Sequence, residues 1–166
     1  RMKNIILRKT LRQHALLGCL MLLPLSSVCL QASAQQIAFP GAEGWGRFAT
    51  GGRVTDPAIG SKVYYVTSLE DYLSTEEPIE GTLRWALSTG DDTPRTILFK
   101  VGGTIILKER LKCPKPNVTI AGQSAPGGGI CISGANIYIH SKNFIVRYIR
   151  FRAGDLSGKN YSSLGI

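Results

Sequence analysis

The stretch Arg95–Phe151, RTILFKVGGTIILKERLKCPKPNVTIAGQSAPGGGICISGANIYIHSKNFIVRYIRF, decides the fold. It is a series of short β-rich runs punctuated by Gly and Asn: Thr96–Val101, Thr104–Leu107, Asn117–Ala121, Gly129–Ser133, Asn136–His140 and Asn143–Phe151. Runs of this length and composition read as strands. No Asn-Gly or Asp-Gly pair joins two of them, so tight hairpins are not indicated. Asn117, Asn136 and Asn143 each open a run, and comparable runs recur after 21 and 26 residues. A quasi-period in that range marks a solenoid. Three short strands per coil, stacked as parallel sheets, make a β-helix. In-register Asn side chains at the turns can then bond from coil to coil. A β-sandwich with irregular loops is the alternative that spacing alone leaves open.

Upstream of this stretch the pattern differs. Gly81–Ser88 (GTLRWALS) is the best helix candidate, with Leu83, Ala86 and Leu87 on one face and Thr82 able to cap it. Lys62–Val66 (KVYYV) reads as a short strand. Ile37–Arg53 is Gly-rich with Phe39, Trp45 and Phe48 interleaved, and is expected to be an irregular segment whose aromatics plug something apolar. A solenoid coil cannot bury its apolar face alone, so this segment and the helix are the material for a cap on the first coil. By the same reasoning the last coil needs a successor, and the chain reads as cut off at Gly165-Ile166.

Residues 1–34 read as a secretory signal peptide. Lys3, Arg8, Lys9 and Arg12 form a basic front, Ala15–Leu25 an apolar run too short to span a bilayer comfortably, and Ala32-Ser33-Ala34 a small-residue cleavage site. A membrane anchor is the alternative; a lipoprotein reading through Cys19 is weaker, because Arg12 leaves little apolar sequence before it. Residues 35–94 then form a cap segment with the first strand and the helix, and 95–166 the first coils. The expected location is secreted or periplasmic.

Charged residues make up 19% of the 166, below the usual quarter or so, which argues against a disordered polyelectrolyte. Five of the 20 bases lie in the leader, leaving fifteen against eleven acids. They are unevenly spread. Val54–Asp92 holds eight acids and two bases, whereas Thr93–Ile166 holds eleven bases and two acids. A basic half in an exported protein suits a polyanion, and outside the cell an acidic polysaccharide fits better than nucleic acid. No nucleic-acid partner, no membrane contact after leader removal and a monomeric state are expected. The plain alternative is a solvated basic face.

Among single residues, Arg150 and Arg152 fall on one face of an extended strand and Arg147 on the other. The first two are the candidate substrate-binding pair, since guanidinium groups match carboxylates. A merely exposed sheet surface is the competing reading. His140 is the one His outside the leader, which excludes a metal set of several His there and leaves a turn role. Cys113 and Cys131 read as small buried apolar side chains, with a bridge left open. Asn117-Val118-Thr119 and Asn160-Tyr161-Ser162 match the glycosylation acceptor pattern but are discounted on a bacterial reading of the leader.

Six ordered blocks carry a resemblance. Ala38–Gly46 (AFPGAEGWG) with Ala49–Arg53 (ATGGR), Lys62–Leu69, Gly81–Leu87, Phe99–Ile105, Thr119–Gly127 and Val146–Arg152 with Gly154-Asp155 resemble the N-terminal part of exported bacterial pectate lyases. The resemblance covers about Ile37 to the end. It implies a right-handed parallel β-helix and cleavage of pectate (polygalacturonate) by β-elimination. In such lyases an Arg takes the proton beside the uronate carboxylate, and calcium bridges that carboxylate to acidic ligands. Those ligands and the Arg are expected on coils downstream of this chain. No catalytic or metal residue is therefore carried over, Asp155 reads as a loop residue, and the chain is expected to be inactive alone. A polygalacturonase-like hydrolase on the same fold and a non-catalytic carbohydrate-binding or adhesion β-helix are the rival readings.

Overall fold

The computed structural model describes residues 35–154 and 164–165. The chain separates into two units, Arg1–Gln35 and Gln36–Ile166, and the elements described here belong to the second. The expected leader lies outside the described residues, as do Asp155 and Asn160. No helix among the described residues is long and apolar enough to cross a membrane.

The strands are β1 Lys62–Val66, β2 Arg95–Phe99, β3 Gly103–Ile106, β4 Leu111–Cys113, β5 Val118–Ala121, β6 Ile130–Ser133, β7 Ile137–Ile139, β8 Phe144–Arg147, β9 Ile149–Arg152 and β10 Leu164–Gly165; the helix α1 is Leu83–Ser88. They form three sheets, ordered β1-β2-β5-β8, β3-β6-β9 and β4-β7-β10. All seven pairings are parallel. From β2 onward successive strands enter different sheets, each sheet growing by one strand per coil, and β1 precedes β2 at the edge of the first sheet. This is an all-β parallel β-helix. A sandwich of antiparallel hairpins is excluded by the pairing itself.

The period of two along each strand sorts side chains into the helix and out of it. Inward positions stack along the axis: Ile97 on Ile120, Ile105 on Ile132, Leu111 on Ile137. All six are buried. Burying each contributes about 1.5–3 kcal/mol, which explains why branched aliphatics recur at these registers.

The expected run Asn143–Phe151 is two strands, not one. Tyr148 adopts φ 56 between β8 and β9 and turns the chain from the first sheet to the second. A left-handed Tyr is costly, and sequence reasoning has no ground to place one there. β4 also escaped the sequence reading, because three residues bounded by charges and a proline carry little strand signal.

The expected Asn ladder forms in part. Asn117 (φ 59) and Asn143 (φ 63) share a left-handed turn conformation. Asn143 Nδ2 donates to Asn117 Oδ1 at 2.7 Å. Asn136 is instead buried, and its Oδ1 accepts from Arg110 Nε.

The cap comes from α1, with Leu83, Ala86 and Leu87 buried against the interior. Thr82 caps it, its hydroxyl accepting from the Trp85 N–H. At the other end of α1 lies Arg95, fully buried, donating to the carbonyls of Ala86, Thr89 and Asp91. The Ala86 and Thr89 carbonyls lie at the negative end of the helix dipole, and Asp91 adds a loop carbonyl, so the guanidinium is held by backbone oxygens rather than by a carboxylate.

Ile37–Arg53 does not plug the interior, contrary to expectation. Trp45 is wholly exposed and no residue of the short turn Trp45–Phe48 is buried. The segment is a strap laid over the outer face of the first sheet. The N–H groups of Thr50 and Gly51 donate to Asn143 Oδ1, and that of Gly52 to Thr119 Oγ1. Gly51 has φ 53, and a Cβ there would collide with the Thr119 hydroxyl and the Ile145 side chain. Only glycine admits that approach.

Candidate functional site

The strap covers the first sheet, and the other two outer faces are the ones open to a large ligand. On β9, Arg150 and Arg152 are both exposed and two residues apart, hence on one face. They stand in register with Cys131 and Ser133 of β6. Arg150 Nη1 donates to the Gly128 carbonyl at 2.6 Å, and Arg152 Nη1 to the Phe151 carbonyl at 3.2 Å. A cleft of about 360 Å³, lined by Gly102, Thr104, Pro126, Gly128 and Arg150, opens beside this pair.

Arg147 is separated from them by the Tyr148 turn and belongs to the first sheet. Its guanidinium lies 4.3 Å from the Phe39 ring centre and 5.1 Å from that of Tyr148. This cation–π stack pins the strap, so Arg147 is a fastening rather than a free cation.

The third face is supported from behind by a buried ion pair. Arg84 Nε and Nη2 donate to the two carboxylate oxygens of Asp71, each at 2.8 Å. Burial alone would lower the Arg84 pKa; hydrogen bonding to Asp71 and its charge more than reverse this, so the net shift is upward. The same guanidinium donates to the carbonyls of Glu109 and Arg110, and Asp71 accepts from the Lys108 N–H. The pair thereby ties α1 and the loop after β1 to the approach to β4. In front of it lies a concavity of about 550 Å³ whose walls include Tyr72, Arg84, Glu109, Arg110 and Lys112.

His140 is an exposed turn residue following β7. Cys113 and Cys131 are both free, on different sheets. Burial pushes the Cys113 thiol up to about 12, which leaves it inert.

The calcium implied by the resemblance finds no donor set here: among the described residues no group of three or more His, Cys, Asp or Glu side chains could hold a metal ion. Their acids are dispersed, and several are taken by cations, as in Asp71–Arg84, Asp91–Lys62, Asp92–Lys115 and Glu76–Lys108. Hard cations of this kind need several converging oxygens. What this region offers is cationic and aromatic surface, suited to holding an anionic chain.

No family model matches the chain. It is 45% identical over 134 residues to a protein named probable pectate lyase C from Emericella nidulans, covering 80% of this chain and 28% of that protein. Proteins of the same name from Neosartorya fischeri (41% over 137 residues; 82% of this chain, 29% of the relative) and Aspergillus flavus (38% over 153 residues; 92% and 31%) are also similar. The chain thus spans about three tenths of the length of the curated relatives it matches. Among solved structures, the crystal structure of Jun a 1, the major allergen from cedar pollen, aligns with a TM-score of 0.53 and 24% identity over 65% of this chain and 28% of that one. That likeness concerns the fold. Together these similarities support the pectate lyase superfamily; the relatives named are fungal and lend a bacterial branch no support.

Proposed function

We propose that this chain is the substrate-holding N-terminal part of a secreted lyase that cleaves polygalacturonate by β-elimination. The observation that carries the reading is the sequence similarity to probable pectate lyase C over 80% or more of the chain, on a β-helix whose outward cations suit uronate carboxylates. Arg150 and Arg152 are assigned to substrate carboxylates, because a guanidinium pairs with a carboxylate bidentately. Calcium is assigned to the whole protein, with ligands outside the residues described. The bacterial origin is retained only as the reading of the leader.

In this chain the described side chains bind and orient. A fixed row of cations holds a polyanion in one register on a rigid sheet, which is the positioning that a cleavage step elsewhere needs.

The test is ultraviolet absorbance. Whole protein with calcium and polygalacturonate is expected to release unsaturated uronate, and the present chain is expected to release none. Reducing sugar without a double bond would mean hydrolysis, and binding without either product would mean a carbohydrate-binding protein.

A further inference from the structure

The strap leaves two outer faces open, and among the described residues the face of β4-β7-β10 combines an aromatic ring, cations without a carboxylate partner and an adjoining hollow. On the sheet β4-β7-β10 the outward positions of β4 and β7 are Lys112 and Tyr138, paired in register. The Tyr138 ring meets His140 edge-on, with centroids 4.0 Å apart and planes at 75°. The Arg110 guanidinium lies 5.9 Å from the Tyr138 centroid. Arg110, Lys112 and His140 are exposed, and Tyr138 is half-buried. Arg110 is oriented by its Nε, which donates to the buried Asn136 Oδ1 at 3.1 Å. Among the described residues neither Arg110 nor Lys112 has a carboxylate within salt-bridge reach. The nearby acids are engaged elsewhere. Glu109 faces Arg84 at 3.6 Å and accepts from the Ser74 N–H, and Glu76 accepts from Lys108 and from the Leu73 N–H. Arg110 and Lys112 also form one wall of the 550 Å³ concavity.

We infer that Arg110, Lys112 and Tyr138 form a binding subsite for a carboxylate-bearing sugar chain, with a sugar ring against Tyr138 and its carboxylates on Arg110 and Lys112. The inference rests on the polyuronate reading for its substrate class, and it adds a site on a different sheet from Arg150 and Arg152. Charge complementarity selects the occupant. Two cations with no carboxylate partner among the described residues attract an anion, and an aromatic ring in the next coil, about 4.8 Å along the axis, gives the apolar face of a pyranose a platform. A neutral glucan would satisfy the ring and leave the cations unpaired.

The test is titration of the chain with an oligogalacturonate of defined length, and with a cello-oligosaccharide as the neutral control. The wild-type chain is expected to bind the acidic probe with salt-sensitive affinity and to ignore the neutral one. Its Tyr138 and His140 ring resonances are expected to shift on binding. Arg110→Ala with Lys112→Ala is expected to weaken binding about tenfold or more, since each charge-assisted contact contributes on that scale. Tyr138→Ala is expected to weaken it several-fold. Unchanged affinity in the double variant, or loss confined to Arg150→Ala with Arg152→Ala, would overturn this subsite and leave the polyuronate reading intact. Equal binding of the neutral probe would overturn the charge recognition. No binding of oligogalacturonate by the wild-type chain would overturn both.

Discussion

The outer faces of two sheets of one β-helix have opposite fates. Across β2, β5 and β8 the outward residues are Thr96, Thr119 and Ile145, and the strap closes over them. Across β4 and β7 they are Lys112 and Tyr138, and no strap from the described residues hydrogen-bonds there. The inward stacks of the two sheets are alike, aliphatic and buried. The difference lies in the alternate residues, which face outward. Small hydroxyl and aliphatic groups let a glycine backbone approach and accept its N–H bonds. A long cation and a ring keep a backbone away and keep the face in water. Coils built the same way inside can therefore acquire a sealed face and a working face, through every second residue alone.

The largest expected effect comes from breaking what stands behind the working face. Arg84→Ala leaves Asp71 buried and unpaired, and loss of a buried partner costs about 3–5 kcal/mol. Chemical denaturation should show that loss; a change below 1 kcal/mol would mean that the pair supports nothing. Next is the sealed face. Asn143→Ala removes two acceptor and two donor bonds to the strap and to Asn117. It also places alanine at a left-handed φ. Unmade hydrogen bonds and backbone strain together put the cost at about 2–4 kcal/mol. Amide exchange of Thr50 and Gly51 should accelerate selectively, and uniform acceleration over all coils would contradict local fastening.

A smaller effect follows from Cys113, whose thiol is held neutral in the fold up to about pH 12 by burial. The unfolded chain loses that proton near the ordinary cysteine value. Above about pH 9 the unfolded state therefore binds fewer protons than the native state, and stability falls as pH rises, by up to about 1.4 kcal/mol per unit. Replacement by Val should flatten this slope in a pH series of melts. The smallest effect belongs to the working face. Lys112→Ala should change stability by no more than about 0.5 kcal/mol while weakening polyuronate binding. A stability loss like that of Asn143→Ala would make the two faces structurally equivalent and erase the distinction.

How far the residues themselves announced this molecule varies by element. KVYYV marked β1 without adjustment, and Thr82 with the Leu83–Leu87 face marked the capped helix. The recurrence from Asn117 to Asn143 marked one coil, and both take the same left-handed turn. Asn136 shows the limit of that signal. It opens a run like the other two, yet it is buried and bound to Arg110, because a turn asparagine and a buried one look the same in a string of letters. Arg150 and Arg152 stand exposed on one face as alternation requires. Arg147 was separable from them by alternation, but not assignable to another sheet, since that depends on the Tyr148 turn. Arg110, Lys112 and Tyr138 were not legible as a group: 26 residues separate Lys112 from its registered partner Tyr138, and no local pattern links them.

Local chemistry determined the strand-forming runs, the helix with its cap, the parallel class and the sign of the charge on the later half. These depend on spacing over a few residues or on a repeat, and both are written along the chain. The tertiary structure alone decided which outward face the strap covers, where Trp45 points, that Arg95 and Asp71 are buried, and which cations meet across coils. Those outcomes depend on which segments pack together in space, and a stacking of coils brings residues tens of positions apart to within one strand spacing.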